Sequence, residues 1–133
     1  MSTFKSFEEI EAWQLAREIA KDIDAIIQTG SFGNRFKLIG QIEGSSGSMM
    51  DNIGEGLGRG GRNEFIQFLG YSKGSAEEFQ SQLYRAFDFG CISKEQFDDL
   101  YSRTDKFCRM ISNLMAYLNQ SEIKGQKFKN RIN

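Results

Sequence analysis

Histidine and proline are both absent from this chain of 133 residues. Without histidine the chain cannot form a His-based catalytic triad, a histidine zinc site or an imidazole general base, which are common catalytic devices near neutral pH. The di-iron sites of four-helix bundles also pair glutamate with histidine, so they are excluded as well. We therefore expect no enzyme activity, no catalytic residue, no bound metal and no cofactor.

Cysteine is scarce too, because Cys91 and Cys108 are the only two. Two cysteines so far apart make neither a disulfide framework nor a metal knuckle, so we interpret them as reduced thiols that pack as small hydrophobic residues. The first ten residues contain Lys5, Glu8 and Glu9 and no long apolar run, so no signal peptide or membrane span is predicted there. These features predict a cytoplasmic protein that does not bind membranes.

The remaining composition is that of one globular domain, with 39% hydrophobic residues, 26% charged residues and 12 phenylalanines. The absence of proline leaves long helices unbroken. Hydrophobic residues recur at spacings of three and four in four segments, which is the pattern of amphipathic helices. Four such helices joined by short turns predict an all-α fold, an antiparallel up-down four-helix bundle over residues 1–118.

Capping signals set the expected helix boundaries. Ser6 and Glu9 have the spacing of a capping box, which predicts a first helix over about 9–28. Asn34 is placed to cap the second helix. The third helix is expected to end at Gly90 after roughly 27 residues, and a second capping box, Ser93–Gln96, begins the fourth.

The predicted second helix is rich in glycine, with eight of the chain's 14 glycines between positions 40 and 61. Each glycine inside a helix costs about 1 kcal/mol relative to alanine. The small residues nevertheless recur in steps of three and four, so they share one helix face. They are Gly40, Gly44, Gly47, Asp51, Gly54 and Gly58. Such a face lets a neighbouring helix backbone approach closely, so we predict a helix that ends near Gly56 and a face available to another subunit.

Several polar residues also lie at helical spacings along the second and third helices. They are Ser48, Asn52, Ser72, Ser75 and Gln82. If they face the bundle interior or a subunit boundary, they would hydrogen-bond between helices and fix their register, because an unpaired buried amide costs about 1–3 kcal/mol. A ligand pocket is the alternative interpretation.

The charge is unevenly distributed. Residues 1–118 carry 13 basic and 17 acidic side chains, whereas residues 119–133 carry four basic residues and one acidic residue. We expect residues 119–133 to form a flexible basic tail. Its basic residues are Lys124, Lys127, Lys129 and Arg131. In the body, Arg59, Arg62 and Lys73 are interpreted as the only basic concentration, and two arginines on a glycine-rich turn can hold phosphates.

Short motifs such as Asn52-Ile53-Gly54-Glu55-Gly56 and Gly74-Ser75 lie in the predicted second and third helices. By these motifs the chain resembles the small four-helix-bundle proteins encoded within intervening sequences of bacterial 23S ribosomal RNA genes, and their relatives among the accessory proteins of diversity-generating retroelements. The resemblance covers residues 6–118 and depends on short motifs in the first three helices. These motifs are Phe7-x-x-Ile10-x-x-Trp13; Gln41-Ile42, Ser48, Asn52-Ile53-Gly54-Glu55-Gly56 and Arg59; and Glu64-Phe65-x-x-Phe68-Leu69, Gly74-Ser75 and Gln82-Leu83. The chain departs from the family pattern at Glu43, where the family usually has a basic residue.

The resemblance implies a bundle that assembles with copies of itself, as a pentameric ring, and that binds nucleic acid. Its motif residues Gln41, Ser48, Asn52, Glu55, Gly56, Gly74 and Ser75 are expected to be structural. The leading hypothesis is a non-enzymatic, self-associating bundle with structured RNA or an RNA-handling protein as partner. Under this hypothesis the residues that contact RNA are Arg59, Arg62, Lys73 and the four basic tail residues. The alternative is a bundle that binds a small molecule or anion at the Arg59/Arg62 turn.

Overall fold

The computed structural model describes the backbone of residues 4–132 and the side chains of residues 4–120. Within that range the chain forms four α-helices and no strand. A short 3₁₀ turn, Phe7–Glu9, precedes α1 (Glu11–Gln28), α2 (Phe36–Gly58), α3 (Arg62–Asp88) and α4 (Lys94–Ile132). The predicted all-α fold is confirmed.

The helices pack as an up-down bundle in a square arrangement. In the described part of the chain, each helix lies beside the next one in sequence and α1 also lies beside α4, whereas no Cα atoms of the diagonal pairs α1/α3 and α2/α4 come within 8 Å of each other. The α1–α2 and α3–α4 loops therefore lie at one end of the bundle, here called the upper end. The α2–α3 turn lies at the opposite, lower end.

Four phenylalanines and a set of branched aliphatic residues fill the core between the helices. The largest side chains that are fully buried are Phe32, Phe65, Phe79, Phe107, Ile19, Ile23, Ile42, Met49, Ile53, Leu69, Leu83 and Leu100. They come from all four helices and from the α1–α2 loop. This shared burial, rather than helix propensity, stabilises the glycine-rich α2.

One predicted capping box is present and the other is not. The Ser93 N–H donates to Gln96 Oε1 at 2.9 Å, and the Gln96 N–H donates to Ser93 Oγ at 3.1 Å, as predicted for the start of α4. At the N-terminus, Ser6 caps nothing, because Glu9 accepts from the Lys5 N–H instead at 3.0 Å. The helix there is only a 3₁₀ turn, and α1 begins two residues later than predicted.

The other helix ends differ from prediction by small amounts. Asn34 does not cap α2, whose N-cap position is Arg35 and which has no side-chain cap. The helix also continues to Gly58, two residues beyond the predicted end. Gly90 ends α3 as predicted, because its left-handed φ of 77° lets the Cys91 N–H reach back to the Ala86 carbonyl at 2.8 Å.

Two buried hydroxyl groups fix α2 against α3. Ser45 Oγ donates to Gln82 Oε1 at 2.5 Å, and Ser72 Oγ donates to the carbonyl oxygen of Met49. The predicted role of Ser72 and Gln82 between helices is therefore confirmed. Sequence analysis missed Ser45, which supplies the donor to Gln82.

Arg103 on α4 forms an ion pair that connects α4 with α1. Arg103 Nη2 lies 2.8 Å from Asp22 Oδ2 on α1 and 2.7 Å from Asp99 Oδ2 on its own helix. Its Nε also donates to Asp99 Oδ1 at 3.1 Å, so the guanidinium binds that carboxylate with both arms of its fork.

α4 continues to Ile132, so its backbone runs through residues that the sequence analysis assigned to the tail. No helix in the described residues is long and apolar enough to cross a membrane.

Candidate functional site

Six small or short residues of α2 share one face of the helix, and this face is not covered by another α-helix in the described part of the chain. We call the outer surface of Gly40, Gly44, Gly47, Asp51, Gly54 and Gly58 the glycine face. A Cβ atom added at Gly40, Gly44 or Gly58 would meet nothing within 4 Å. At Gly47 it would meet only Asp51 of the same helix, and at Gly54 it would lie 3.7 Å from the Phe7 ring. Within the chain, the predicted close approach of another helix to this face is wrong.

The close approach occurs at a different glycine. Gly56 is buried, and a Cβ atom there would lie 2.5 Å from Phe68 Cβ and 3.3 Å from the Phe65 ring. Both neighbours are on α3, so Gly56 is the position where α2 and α3 pack too closely for any side chain. α2 therefore has two kinds of glycine: Gly56 faces α3 inside the bundle, and the glycines of the glycine face lie on the outer side.

Phe36 extends the glycine face at the upper end. It precedes Gly40 by four residues, so both lie on the same side of α2. Its side chain is 73% exposed, the highest value among the large hydrophobic residues described. The face therefore begins at an exposed aromatic ring and continues as a surface on which Asp51 is the one residue with a side chain.

The α2–α3 turn holds two of the three basic residues predicted in the body. Arg59 Nη2 pairs with Glu55 Oε1 at 2.9 Å, and its guanidinium lies 5.1 Å from the centre of the Phe68 ring. Arg62 begins α3, and its Nε is the one buried side-chain nitrogen or oxygen without a hydrogen-bond partner in the described part of the chain. The turn itself depends on Gly60, whose φ is 84°.

Lys73 does not join this group. It lies 11 residues after Arg62 on α3, roughly 16 Å along the helix axis. Its neighbours in a shallow surface cavity are Asp105, Cys108 and Arg109 of α4. The basic tail residues Lys124, Lys127, Lys129 and Arg131 lie outside the residues whose side chains are described.

The predicted structural residues form mostly local contacts. Asn52 Nδ2 donates to the Ser48 carbonyl at 2.9 Å within α2. Glu55 pairs with Arg59, as described above. Gln41 instead connects two helices, because its Oε1 accepts from Arg85 Nη2 at 3.0 Å. On α3, Gly74 is exposed with open space around it and Ser75 is half-buried.

A second basic cluster, absent from the sequence analysis, lies at the upper end. A cleft of about 280 Å³ is lined by Arg35, Lys37, Leu38, Gln41, Arg85 and Phe89. The interpretation of Arg59, Arg62 and Lys73 as the only basic concentration in the body is therefore wrong. Arg35 and Lys37 are neighbours in sequence, but only the antiparallel packing of α2 and α3 brings Arg85 beside them. The predicted up-down topology was the one signal that could have found it.

Both cysteines are free thiols. Cys91 is buried, as predicted, and Cys108 is half-buried. Burial raises the pKa of the Cys108 thiol, and the nearby Glu77 carboxylate raises it further. Cys108 is therefore protonated near neutral pH, the form that is a poor nucleophile and a poor metal ligand. No group of three or more residues able to hold a metal occurs among the described residues.

Comparison with known proteins identifies the family. The family model of the 23S rRNA-intervening sequence proteins matches residues 8–113. The chain belongs to this family. The match confirms the resemblance that the motifs of the first three helices indicate.

One similar solved structure has the family's fold. It is a crystal structure of a protein of unknown function from the S23 ribosomal protein family of Bacteroides thetaiotaomicron. The two chains are 20% identical, with a TM-score of 0.67 over 79% of this chain and 95% of that one. No curated protein matches the chain. At this identity the likeness supports the bundle fold alone.

Proposed function

We propose that this family member is a non-enzymatic, cytoplasmic protein that assembles with copies of itself. In this proposal the assembly has a basic surface, repeated in each copy, that binds structured RNA. The observation that carries the proposal is the open glycine face of α2. Inside one chain this face has a cost in stability and no compensating contact.

The cost follows from helix propensity. Each glycine in a helix interior is about 1 kcal/mol less favourable than alanine. At Gly40 and Gly44 an alanine methyl group would meet nothing within 4 Å, so packing inside the chain does not require glycine there. Close packing of a helix from a second copy would require it. The exposed ring of Phe36 is an apolar group at the edge of the same surface.

A closed ring of copies, as the family resemblance implies, needs two different faces on each copy. The last two turns of α3, well beyond Gly74, and the start of α4 offer the second one. Tyr84 and Phe87 are exposed there and pack around Phe97, with ring centres 4.9 and 5.6 Å from its centre. We propose a pentamer in which the glycine face of one copy packs against this aromatic surface of the next.

Self-association is tested by measuring the mass of the particle in solution. The wild-type chain is expected to give a multiple of 15.2 kDa by light scattering, consistent with five copies. Gly44→Leu should reduce the mass to that of one chain. Gly74→Leu is the matched control, because Gly74 is also helical with open space around it but lies on α3. A monomeric wild-type protein would contradict the proposal.

RNA contact is proposed at the lower end. Arg59 and Arg62 flank the N-terminus of α3, where backbone N–H groups and the helix dipole favour a phosphate. Assembly would repeat the Arg59/Arg62 pair in every copy, so the binding free energies of several weak contacts with one RNA would add. Lys73, which lies roughly 16 Å from Arg62 along α3, and the tail residues are proposed as separate, additional RNA contacts.

The test is fluorescence anisotropy with a labelled RNA hairpin at several salt concentrations. Affinity should fall steeply as salt rises, and Arg59→Gln/Arg62→Gln should weaken binding and reduce the salt dependence. The Lys21→Gln variant is a suitable control, because Lys21 is an exposed basic residue on α1 that pairs with Glu18 at 3.8 Å. Absence of binding at low salt would reject RNA as the partner.

A second candidate function is supported by Arg62. Its Nε has no hydrogen-bond partner although it is buried, so a small anion at the α2–α3 turn would satisfy it. If the protein is an anion-binding bundle, phosphate should raise its melting temperature while an RNA hairpin does not bind. The Arg62→Gln variant should lose that thermal shift.

A further inference from the structure

The cleft at the upper end is formed by two helix ends that are distant in sequence. Arg35 and Lys37 lie at the N-terminus of α2, and Arg85 and Phe89 lie at the C-terminus of α3. Gln41 joins the two sides through its 3.0 Å hydrogen bond from Arg85. The cleft is thus built by the α2–α3 packing and not by a single loop.

Its lining has positive charge and no negative charge. Three of the six lining residues are cationic, and none is a carboxylate. Glu43 and Asp88 are the acidic residues closest in sequence to Gln41 and Phe89, and neither lines the cleft. In the described part of the chain, Arg35, Lys37 and Arg85 form no ion pair, in contrast to Arg59 on the α2–α3 turn.

Backbone donors add to this charge. The N-terminus of α2 has no acidic residue in its first turn and no side-chain cap. The N–H groups of Lys37 and Leu38 have no backbone acceptor among the described residues. Both residues line the cleft, and an uncapped helix N-terminus favours an anion through these N–H groups and through the helix dipole.

The side chains are partly held in place before any ligand binds. The Arg35 guanidinium stacks over Phe89 at 4.4 Å from the ring centre, and Arg85 is held by Gln41. Each arginine keeps further N–H donors for a ligand. At about 280 Å³ the cleft is smaller than the roughly 300–1,000 Å³ of pockets for drug-sized ligands, so it suits one compact group.

We propose that this cleft binds a phosphate group, held by Arg35, Lys37, Arg85 and the first backbone N–H groups of α2. A phosphate carries the negative charge and the several acceptor oxygens that these donors require. The group belongs either to the backbone of an RNA or to a small phosphate compound. The inference does not rest on the proposed function, because inorganic phosphate alone tests it and the lower end of the bundle takes no part.

The experiment is a titration of the full-length deuterated, ¹⁵N-labelled protein with inorganic phosphate, followed by amide NMR at constant ionic strength. The amide signals of Lys37 and Leu38 should shift and saturate. The Lys37→Gln/Arg85→Gln variant should bind about tenfold more weakly or worse, because it loses two charge-assisted contacts. The Lys21→Gln/Lys94→Gln variant is the matched control, because it removes two exposed positive charges outside the cleft, and it should leave these shifts unchanged.

A second titration with an RNA hairpin identifies the source of the phosphate. Shifts of the same amides at lower concentrations of RNA than of phosphate would assign the cleft to an RNA backbone, and shifts with phosphate only would assign it to a small compound. The proposal is overturned if phosphate produces no more shift than chloride, or if the Lys37→Gln/Arg85→Gln variant, with an unchanged melting temperature, binds phosphate as the wild type does.

Discussion

Substituting alanine for single glycines should have opposite effects at positions that differ only in their surroundings. At Gly44 a methyl group enters open space, so the substitution should add about 1 kcal/mol of stability to the folded chain. For a chain of this length that corresponds to a rise of roughly 4 °C in melting temperature. Gly74→Ala on α3 should have the same effect.

At Gly56 the sign reverses. The new Cβ atom would lie 2.5 Å from Phe68 Cβ, and both atoms are attached directly to helix backbones, so neither can rotate away. Overpacking of this kind costs about 1–3 kcal/mol, which exceeds the gain in helix propensity. The expected net loss is about 1–2 kcal/mol, and urea unfolding of the three variants measures the differences.

Assembly adds a second measurement that separates Gly44 from Gly74. If α2 packs against another copy through the glycine face, Gly44→Ala should stabilise the isolated chain but weaken the assembly, detected as dissociation at higher protein concentration in sedimentation velocity. Gly74→Ala should not change assembly. Equal stabilisation at Gly44 and Gly56 would refute the packing argument, and unchanged assembly in Gly44→Ala would refute the use of this face.

Three further substitutions test the buried Ser45–Gln82 hydrogen bond, the Cys108 thiol and the Arg103 ion pairs. Gln82→Leu removes the acceptor of Ser45 Oγ and should lower the free energy of unfolding by about 1–3 kcal/mol, measured with urea; the added Ser45→Ala change should recover part of that loss. Because burial raises the pKa of Cys108 above its ordinary 9.0, its contribution to stability is present below that pH and decreases as pH rises through the folded pKa. As pH rises above 9.0, the ordinary thiol pKa, stability should therefore fall more in the wild type than in Cys108→Ala, and equal slopes would contradict the assignment. Arg103→Lys cannot reproduce the forked contact with Asp99 and should lower the free energy of unfolding by up to about 1 kcal/mol. Lys94→Gln is the control, because it loses only the exposed Lys94–Asp98 pair within α4.

Sequence periodicity predicted the bundle because long amphipathic helices depend on local spacing. The Ser93–Gln96 box was predictable for the same reason, since both partners lie within one turn. The Ser6–Glu9 box has identical spacing, yet Phe7 packs against Trp13 with ring centres 5.0 Å apart. We infer that this contact favours the 3₁₀ turn over an earlier start of α1.

The site was harder to predict because it depends on which side of a helix faces its neighbours. Steps of three and four place Gly40 and Gly44 on one face, but they do not say whether that face points inward. Gly56, the glycine that α3 requires, lies outside this periodic set. The upper cleft was missed because Arg85 and Lys37 come together only through the pairing of two helix ends.

The proline-free α2 also fixes a distance. Its 23 residues form a rod of about 34 Å between the upper cleft and the Arg59/Arg62 turn. If the cleft and the turn are both weak binding sites, a ligand bound at one of them is held at a high effective concentration near the other. Its overall affinity then exceeds the affinity of either single site. If both proposed sites bind RNA phosphates, an RNA long enough to span this distance would bind at both ends, whereas a shorter fragment would occupy one end at a time.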